Sequence, residues 1–221
     1  MRIVIAGGHG QIALRLSRLL SERGDQVTGL IRQPAHAEEV RAAGAKPVVL
    51  DLETASIDEV ARELEHAQAD AVVFAAGAGP GSGSERKETM DRAGAVLLAD
   101  SAEAAGVRRY VMLSSMGADA HTRFDGDPGL RAYLRAKGAA DDDIRARTSL
   151  DWTVLRPGTL RNEPGTGKVR LDRSTGGGFI PRDDAAALLA ALLANPGTSR
   201  QTIEAIAGDV PVDDAVAAFA G

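Results

Sequence analysis

The sequence contains no cysteine and few aromatic residues, and both absences exclude classes of function. Without cysteine there is no disulfide, no thiolate metal site and no Cys nucleophile, and such a composition suits a reducing compartment. Aromatic residues make up only 3% of the chain, so we expect no stacking platform for single-stranded nucleic acid. The net charge of −5 offers no basic surface for DNA or RNA.

Long apolar runs are missing as well. No run reaches the roughly 18–20 residues that a membrane-spanning helix needs, and residues 1–6 lead directly into a strand, which leaves no room for a signal peptide. The four histidines are scattered, so no metal site is predicted. We expect a cytoplasmic protein whose partner is a small-molecule substrate, with no nucleic-acid or membrane partner. The sequence leaves the oligomeric state open between monomer and dimer.

What the chain does contain is 44% hydrophobic residues, arranged as short apolar runs that alternate with amphipathic stretches. Arg2–Ala6 is typical of a buried strand, and Gln11–Arg23 of a helix. Strands that are apolar on both faces and alternate with helices predict an α/β fold of the Rossmann type, with a doubly wound parallel sheet. We expect a single domain over 1–221, with a cofactor-binding core over 1–158 and a small substrate-pocket region over 159–221.

Several later segments bear on the site. We predict a flexible loop over Gly77–Ser84 and one long helix over Arg86–Ala105. A further helix is predicted around Leu130–Arg147, and its acidic run Asp141–Asp143 is typical of a solvated face. Beyond Pro157 the alternation becomes less regular.

The segment between the first strand and the first helix carries the pattern Gly8-x-Gly10-x-x-Ala13. One glycine permits the tight turn, a second lets the backbone approach a pyrophosphate, and the small Ala13 lets helix and strand pack closely. The helix N-terminus then faces the phosphates. Because strand and helix flank the pattern, it predicts a dinucleotide-binding loop, and a tight turn that binds nothing is the alternative. His9 either touches a phosphate or only fills the loop.

The end of the second strand favours NADP(H) over NAD(H). An NAD-preferring site usually carries an acid there to hold the ribose hydroxyls, whereas this strand is followed by Arg32. A guanidinium donates several charge-assisted hydrogen bonds, which suits a 2′-phosphate. A solvated surface arginine is the alternative. Asp51, after the third strand, either meets the adenine edge or caps a helix.

Further motifs follow along the chain. After GGHGQIA come Asp51-Leu52, Ala75-Ala76-Gly77, Leu113–Gly117, Tyr133–Lys137 and Asp151–Gly158. With these motifs nearly the whole chain resembles the short-chain dehydrogenase/reductase superfamily, and in particular its atypical branch of NmrA-like and sugar-epimerase-like NAD(P)-binding proteins. The resemblance implies that the loop after the fourth strand lines the cofactor ribose, and that Arg156–Gly158 lies against the nicotinamide. The cofactor contacts predicted from the motifs and the resemblance are Gly7, Gly8, His9, Gly10, Gln11, Ile12, Arg32, Asp51, Leu52, Ala75, Ala76, Gly77, Ser114, Lys137, Pro157, Gly158, Thr159 and Leu160.

Tyr133 and Lys137 are four residues apart on a predicted helix, so both side chains project from one face. A lysine cation close to a phenol lowers the phenol pKa from about 10, which prepares Tyr133 to exchange a proton with a substrate oxygen. A serine hydroxyl can orient the same oxygen, and Ser115 matches this role better than Ser114. We therefore predict an NADP(H)-dependent oxidoreductase for a small carbonyl-type substrate, with Tyr133, Lys137 and Ser115 as its catalytic residues.

Two other functions remain open at this point. One is a non-catalytic regulatory protein that senses NADP(H), and only Tyr133 favours an enzyme over such a sensor. The other is a sugar epimerase or dehydratase, for which the short C-terminal region leaves little surface to hold a nucleotide-sugar. The loop Gly117–Gly129 lies between the serine and tyrosine positions, so it either forms one wall of the substrate pocket or is an ordinary surface loop.

Overall fold

The computed structural model describes residues 1–79 and 81–220, so Pro80, within the predicted loop Gly77–Ser84, and the terminal Gly221 lie outside the described residues. The strands are β1 Arg2–Ala6, β2 Gln26–Ile31, β3 Ala45–Val49, β4 Ala71–Phe74, β5 Arg109–Leu113, β6 Asp151–Pro157, β7 Thr159–Arg161, β8 Lys168–Asp172, β9 Phe179–Pro181, β10 Gln201–Ala207 and β11 Val210–Pro211. The α-helices are α1 Gln11–Glu22, α2 Ala37–Ala42, α3 Ile57–His66, α4 Ser84–Arg86, α5 Gly94–Ala104, α6 Pro128–Ala146, α7 Arg182–Ala194 and α8 Val212–Ala220.

The main sheet has nine strands in the order β11-β8-β10-β6-β5-β4-β1-β2-β3. From β3 to β10 the neighbouring strands pair in parallel, and β8 joins the sheet antiparallel to β10. The chain leaves β1 towards β2 and β3 and returns to β4 on the other side of β1, which is the strand order of a Rossmann fold. This confirms the predicted α/β fold class. Ligands of such sheets bind where this order reverses, at the carboxyl ends of β1 and β4.

Alternating side chains of β1 explain why the sheet is covered on both faces. Ile3 and Ile5 pack into a core formed with α1, α7 and α8. Val4 and Ala6 point to the opposite face and pack into a second core with α3, α5 and α6. Because both faces are buried, the central strands carry apolar residues without a polar alternation, which is the pattern that the sequence shows.

The long helix predicted over Arg86–Ala105 is interrupted. The structure has the short helix α4, then a π-helical segment over Lys87–Ala93, and then α5. The π-helical segment has only seven residues, which is too short for its own hydrophobic period to stand out within the longer helical pattern. π-helical turns occur mostly as single turns and frequently at functional sites.

In the region after Pro157, the sequence pattern did not predict the strands β7, β8, β9 and β11. Strands β7 and β9 form a separate two-stranded sheet, while β8, β10 and β11 extend the main sheet. The strands β7, β9 and β11 have two or three residues each, which is too short for a hydrophobic period to appear. Within residues 1–79 and 81–220, we find no helix with the length and apolar character required to span a membrane.

Candidate functional site

The turn between β1 and α1 packs closely against β2 and against the segment that follows β4. Gly7 has a φ of +78°, and a Cβ at this position would lie 2.6 Å from the Cα of Ala76. A Cβ on Gly8 would lie 2.7 Å from the Cα of Gly29 in β2. Both distances are shorter than real Cβ contacts, so only glycine fits at these two positions. Gly8 is therefore required for packing against β2.

Helix α1 begins next to this turn. Among the residues that the structure describes, no side chain caps the helix at Gly10, and its first turn contains no acidic residue. The backbone N–H groups of a first helical turn lack carbonyl partners within the helix, and the helix dipole adds partial positive charge there. Gly10, Gln11 and Ile12 line a cavity, so the start of α1 provides donors for an anion such as a pyrophosphate.

Two cavities meet at the glycine loop, and both have Gly10 and Ala75–Gly77 in their walls. The smaller cavity, of about 220 Å³, continues between the ends of β2 and β3 and is lined by Arg32 and Asp51. The larger cavity, of about 750 Å³, continues towards α6. Together they extend across the point at which the strand order reverses, where a Rossmann fold binds its dinucleotide.

Two arginines share one carboxylate at the edge of the smaller cavity. Glu53 Oε2 accepts hydrogen bonds from Arg32 at 3.3 Å and from Arg86 at 3.0 Å, and Thr89 donates to Oε1 at 2.7 Å. Burial acts to raise the pKa of Glu53, but the hydrogen bonds from Arg86 and Thr89 outweigh it, so that the pKa is lowered. The two guanidinium groups thus lie at the same edge of the cavity. Sequence reasoning identified Arg32 and missed Arg86 and Glu53.

The other predicted residues of the smaller cavity also make local contacts. Asp51 Oδ1 accepts from the backbone N–H of Glu53 at 3.0 Å, so it organises the turn after β3 while lining the cavity. It does not cap a helix, because α3 is capped by Ser56. His9 stacks on His36 with ring centroids 3.6 Å apart, and both line the cavity.

On the other side of the glycine loop, α6 brings Tyr133 and Lys137 into the wall of the larger cavity. The Lys137 ammonium lies 3.1 Å from the Leu113 carbonyl oxygen, 3.4 Å from that of Ala76 and 3.5 Å from Asp91 Oδ1. The side chains of Lys137 and Asp91 are only 4% and 1% exposed. A buried ammonium must be paired, and Asp91 provides the opposite charge. These contacts hold the ammonium at the carboxyl ends of β4 and β5.

The π-helical segment contributes two charged groups to this wall, and sequence reasoning found neither of them. Asp91 pairs with Lys137 and also accepts from the backbone N–H of Ala78 at 3.2 Å. Lys87 is 8% exposed, and its ammonium lies 5.7 Å from the centroid of the Tyr133 ring. No sequence signal marks these positions, because Lys and Asp within a helix are ordinarily solvated.

The two serines after β5 differ in their position relative to the larger cavity. Strand β5 ends at Leu113, and Ser114 is buried in the wall of the larger cavity. Ser115 is not among the described residues that line this cavity, and its hydroxyl donates to the carbonyl oxygen of Met116 at 3.2 Å. The geometry therefore favours Ser114 over Ser115 as the hydroxyl that faces a ligand.

Asp141 corrects the prediction of a solvated acidic face on α6. Its side chain is fully buried, and both Nε and Nη2 of Arg156 lie 2.7 Å from its Oδ2. Burial raises the pKa of Asp141, and Arg156 acts in the opposite direction. Ser114 is near enough to lower this pKa as well, although neither Ser114 Oγ nor Asp141 Oδ1 has a partner at hydrogen-bond geometry among the described residues. Of the acidic run, Asp142 is exposed and Asp143 is partly exposed.

The cavity walls contain most of the predicted cofactor contacts. The segment from Arg156 to Leu160, at the end of β6 and after it, is the exception. Arg156 forms an ion pair with Asp141, and within this segment only Leu160 lines a cavity. The members of the predicted set that line a cavity are Gly7, His9, Gly10, Gln11, Ile12, Arg32, Asp51, Leu52, Ala75, Ala76, Gly77, Ser114, Lys137 and Leu160. The members outside the walls formed by the described residues are Gly8, Pro157, Gly158 and Thr159.

Comparison with known proteins agrees with this geometry. A family model described as NAD(P)H-binding matches residues 7–196. An uncharacterized sugar epimerase from Bacillus subtilis (strain 168), YhfK, is 34% identical over 98% of this chain and 99% of its own length. A solved structure from Bacillus halodurans, provisionally assigned as an NAD-dependent epimerase/dehydratase, is 35% identical, with 99% of both chains covered and a TM-score of 0.88. The structure of the oxidoreductase ylbE from Lactococcus lactis is 26% identical, with 99% and 96% of the two chains covered and a TM-score of 0.86.

Proposed function

Because the chain belongs to the NAD(P)H-binding family, we propose that it is an NADP(H)-dependent oxidoreductase that acts on a small carbonyl-type substrate. The observation that carries this proposal is the position of Tyr133, Lys137 and Ser114 in one cavity that adjoins the glycine loop. A group that exchanges a proton and a loop suited to a dinucleotide thus meet in one place. Carbonyl reduction needs both, since a hydride and a proton are added to the same substrate.

The residues present fit a nicotinamide dinucleotide. The start of α1 offers backbone donors to the pyrophosphate, and Arg32 and Arg86 offer guanidinium groups to a 2′-phosphate. Ala75–Gly77, which is shared by the two cavities, is placed for the ribose next to the nicotinamide. When bound, the cofactor supplies or accepts the hydride.

The chain's own residues supply the proton chemistry in this proposal. Tyr133 donates its phenol proton to the substrate oxygen as the carbonyl is reduced, and takes it back in the reverse direction. Ser114 donates a second hydrogen bond, which orients the same oxygen. Lys137 lines the same cavity one helical turn from Tyr133, and Asp91 with the carbonyl oxygens of Leu113 and Ala76 fixes the position of its ammonium. Ser114 takes the place of Ser115 because it lines the cavity.

The test of this proposal is the oxidation of NADPH in the presence of a panel of aldehydes, ketones and quinones. Tyr133→Phe removes one oxygen while the ring still packs, so turnover should fall about 10²- to 10⁴-fold with NADPH affinity unchanged. The two serines provide a matched pair: Ser114→Ala should lower turnover about tenfold or more, and Ser115→Ala should change it little. Equal turnover by the wild type and Tyr133→Phe would show that Tyr133 is not the acid.

Two results would support other functions. If no substrate is turned over while NADPH binding changes the conformation, the chain is a sensor of NADP(H). Sugar epimerisation is the second candidate, because the relative from Bacillus subtilis is named as a sugar epimerase and the structure from Bacillus halodurans as an epimerase/dehydratase. Such an activity would interconvert a nucleotide-sugar without net consumption of NADPH. We favour carbonyl reduction over sugar epimerisation because β8, β10 and β11 of the C-terminal region extend the main sheet. Little of the chain is then left to surround a nucleotide-sugar.

A further inference from the structure

Lys87 is a buried cation that the proposed proton chemistry does not use. It is 8% exposed and lines the larger cavity. Its ammonium lies 3.5 Å from Ser82 Oγ and 5.7 Å from the centroid of the Tyr133 ring. Across residues 1–79 and 81–220, no carboxylate lies within 4 Å of it. Burial of an ammonium without an opposite charge is costly, so this position is suited to an anion that comes from outside the chain.

The backbone around Lys87 keeps the side chain in the cavity. Lys87 is the first residue of the π-helical segment that ends at Ala93, and its buried residues are Lys87, Met90 and Asp91. Asp91 follows Lys87 by four positions in this segment, and both side chains line the larger cavity. Asp91 is engaged by Lys137 and by the N–H of Ala78, so it does not neutralise Lys87.

The larger cavity as a whole carries an excess of positive charge. The cations in its described wall are Lys87, Lys137 and Arg182, and the carboxylates are Asp91 and Asp127. Asp127 is exposed at the start of α6, where it accepts from the N–H of Leu130 at 2.7 Å. Arg182 donates to neutral groups, namely the Leu160 carbonyl oxygen and Asn162 Oδ1. A substrate with one negative charge would balance this wall.

We propose that Lys87 binds a carboxylate of the substrate, so that the preferred substrates are carbonyl compounds that carry an acid group. This inference rests on the proposed function, because it assigns the substrate class of the same cavity. A carboxylate is favoured because a single ammonium offers one positive charge and three donors, which a carboxylate accepts in a charge-assisted hydrogen bond. The position of the ammonium over the Tyr133 ring allows one small molecule to reach both Lys87 and the phenol oxygen.

The test uses two aromatic aldehydes that differ only in the acid group: 4-carboxybenzaldehyde and benzaldehyde, each with NADPH. Lys87→Met should raise the ratio of the KM for 4-carboxybenzaldehyde to the KM for benzaldehyde about 10- to 100-fold, the effect of losing one charge-assisted hydrogen bond. Lys87→Arg should retain most of the preference. Lys46→Met is the matched control, because Lys46 is exposed on the edge strand β3 and should change neither value.

A binding experiment separates failure of this inference from failure of the proposed function. Benzoate and its neutral analogue benzamide are titrated by ligand-observed NMR against wild type and Lys87→Met, with and without NADP⁺. Benzoate should bind the wild type, and Lys87→Met should lose this binding, even if no aldehyde is turned over. Benzoate binding to both proteins, or to neither, overturns the inference. It is also overturned if Lys87→Met weakens NADP⁺ binding as strongly as benzoate binding, since Lys87 would then hold the cofactor.

Discussion

At the scale of single residues, the site depends on which charges helix α6 and the π-helical segment bring inside. Tyr133, Lys137 and Asp141 follow each other at intervals of four residues, so one face of α6 carries all three. Each of the two buried charges on this face meets an opposite charge from another element, Asp91 for Lys137 and Arg156 for Asp141. These pairs fix α6 against the π-helical segment and β6, and they thereby position Tyr133.

From the ion pair between Arg32 and Glu53 we predict how substitutions change the preference for NADPH over NADH. Arg32→Ala should weaken NADPH binding roughly 10- to 100-fold and leave NADH binding nearly unchanged, because the lost contact is to the 2′-phosphate. Glu53→Gln should have the opposite effect and tighten NADPH binding about threefold to tenfold, since Glu53 competes with the phosphate for Arg32 and Arg86. Titration of both nucleotides against the three proteins measures these effects. Equal wild-type affinities for NADPH and NADH would refute the assignment of Arg32.

At the scale of elements, the glycine loop is held by packing at Gly7 and Gly8 and is open towards the cavities at Gly10. A Cβ on Gly10 would lie 3.2 Å from the Gly7 carbonyl oxygen, which is tight, although a small shift of the loop can relieve it. The first two positions therefore serve the fold, and the third is the position that faces the cavities.

Gly10→Val should consequently abolish dinucleotide binding in a protein that is still folded, because the branched side chain would fill the space of the pyrophosphate. Gly83→Val is the matched control: Gly83 has an ordinary extended conformation, and a Cβ there meets no atom of the described residues within 4 Å. Circular dichroism reports the fold, and a nucleotide titration reports binding. A folded Gly10→Val protein that retains wild-type affinity would mean that the loop is only a turn.

At the scale of the whole molecule, an ion pair joins two segments that are distant in sequence and adjacent in the centre of the sheet. Asp70, which precedes β4, accepts hydrogen bonds at 2.7 Å from both the backbone N–H and the guanidinium of Arg2 in β1. The hydrogen bonds from Arg2 lower the pKa of Asp70. Because the native pKa lies below the unfolded value of about 3.9, the carboxylate stabilises the folded state above that pH. The contribution is lost as the pH falls through the native pKa.

Asp70→Asn should therefore lower Tm by about 1–4 °C at pH 7, since the pair is partly exposed and such pairs are worth at most about 1 kcal/mol. The difference from wild type should shrink as the pH falls below about 4. Asp209→Asn, at an exposed position, is the control and should follow the wild type throughout. Thermal unfolding at a series of pH values measures all three proteins. A difference in Tm that persists unchanged at pH 2.5 would contradict the assigned role of the Asp70 carboxylate.

The sequence by itself determined the features that depend on neighbours along the chain. The apolar strands, the glycine pattern between β1 and α1 and the spacing of Tyr133 and Lys137 are local, because their geometry is set by period and by backbone sterics. They were sufficient to predict the Rossmann-type sheet and the glycine loop. They also carried the resemblance to the short-chain dehydrogenase/reductases, which the comparisons with known proteins confirm.

Only the tertiary structure decided which polar groups are buried and which of them meet. The sequence pattern predicts Asp141 at the surface. In the structure it is buried and paired with Arg156, because α6 packs this face onto β6. Lys87 and Asp91 line the cavity from a π-helical segment, where the sequence predicts one continuous helix. Ser114 lines the cavity and Ser115 does not, because β5 ends at Leu113 and the chain turns after it. Contacts of this kind join residues tens of positions apart, and their energies depend on burial that arises only when the elements pack.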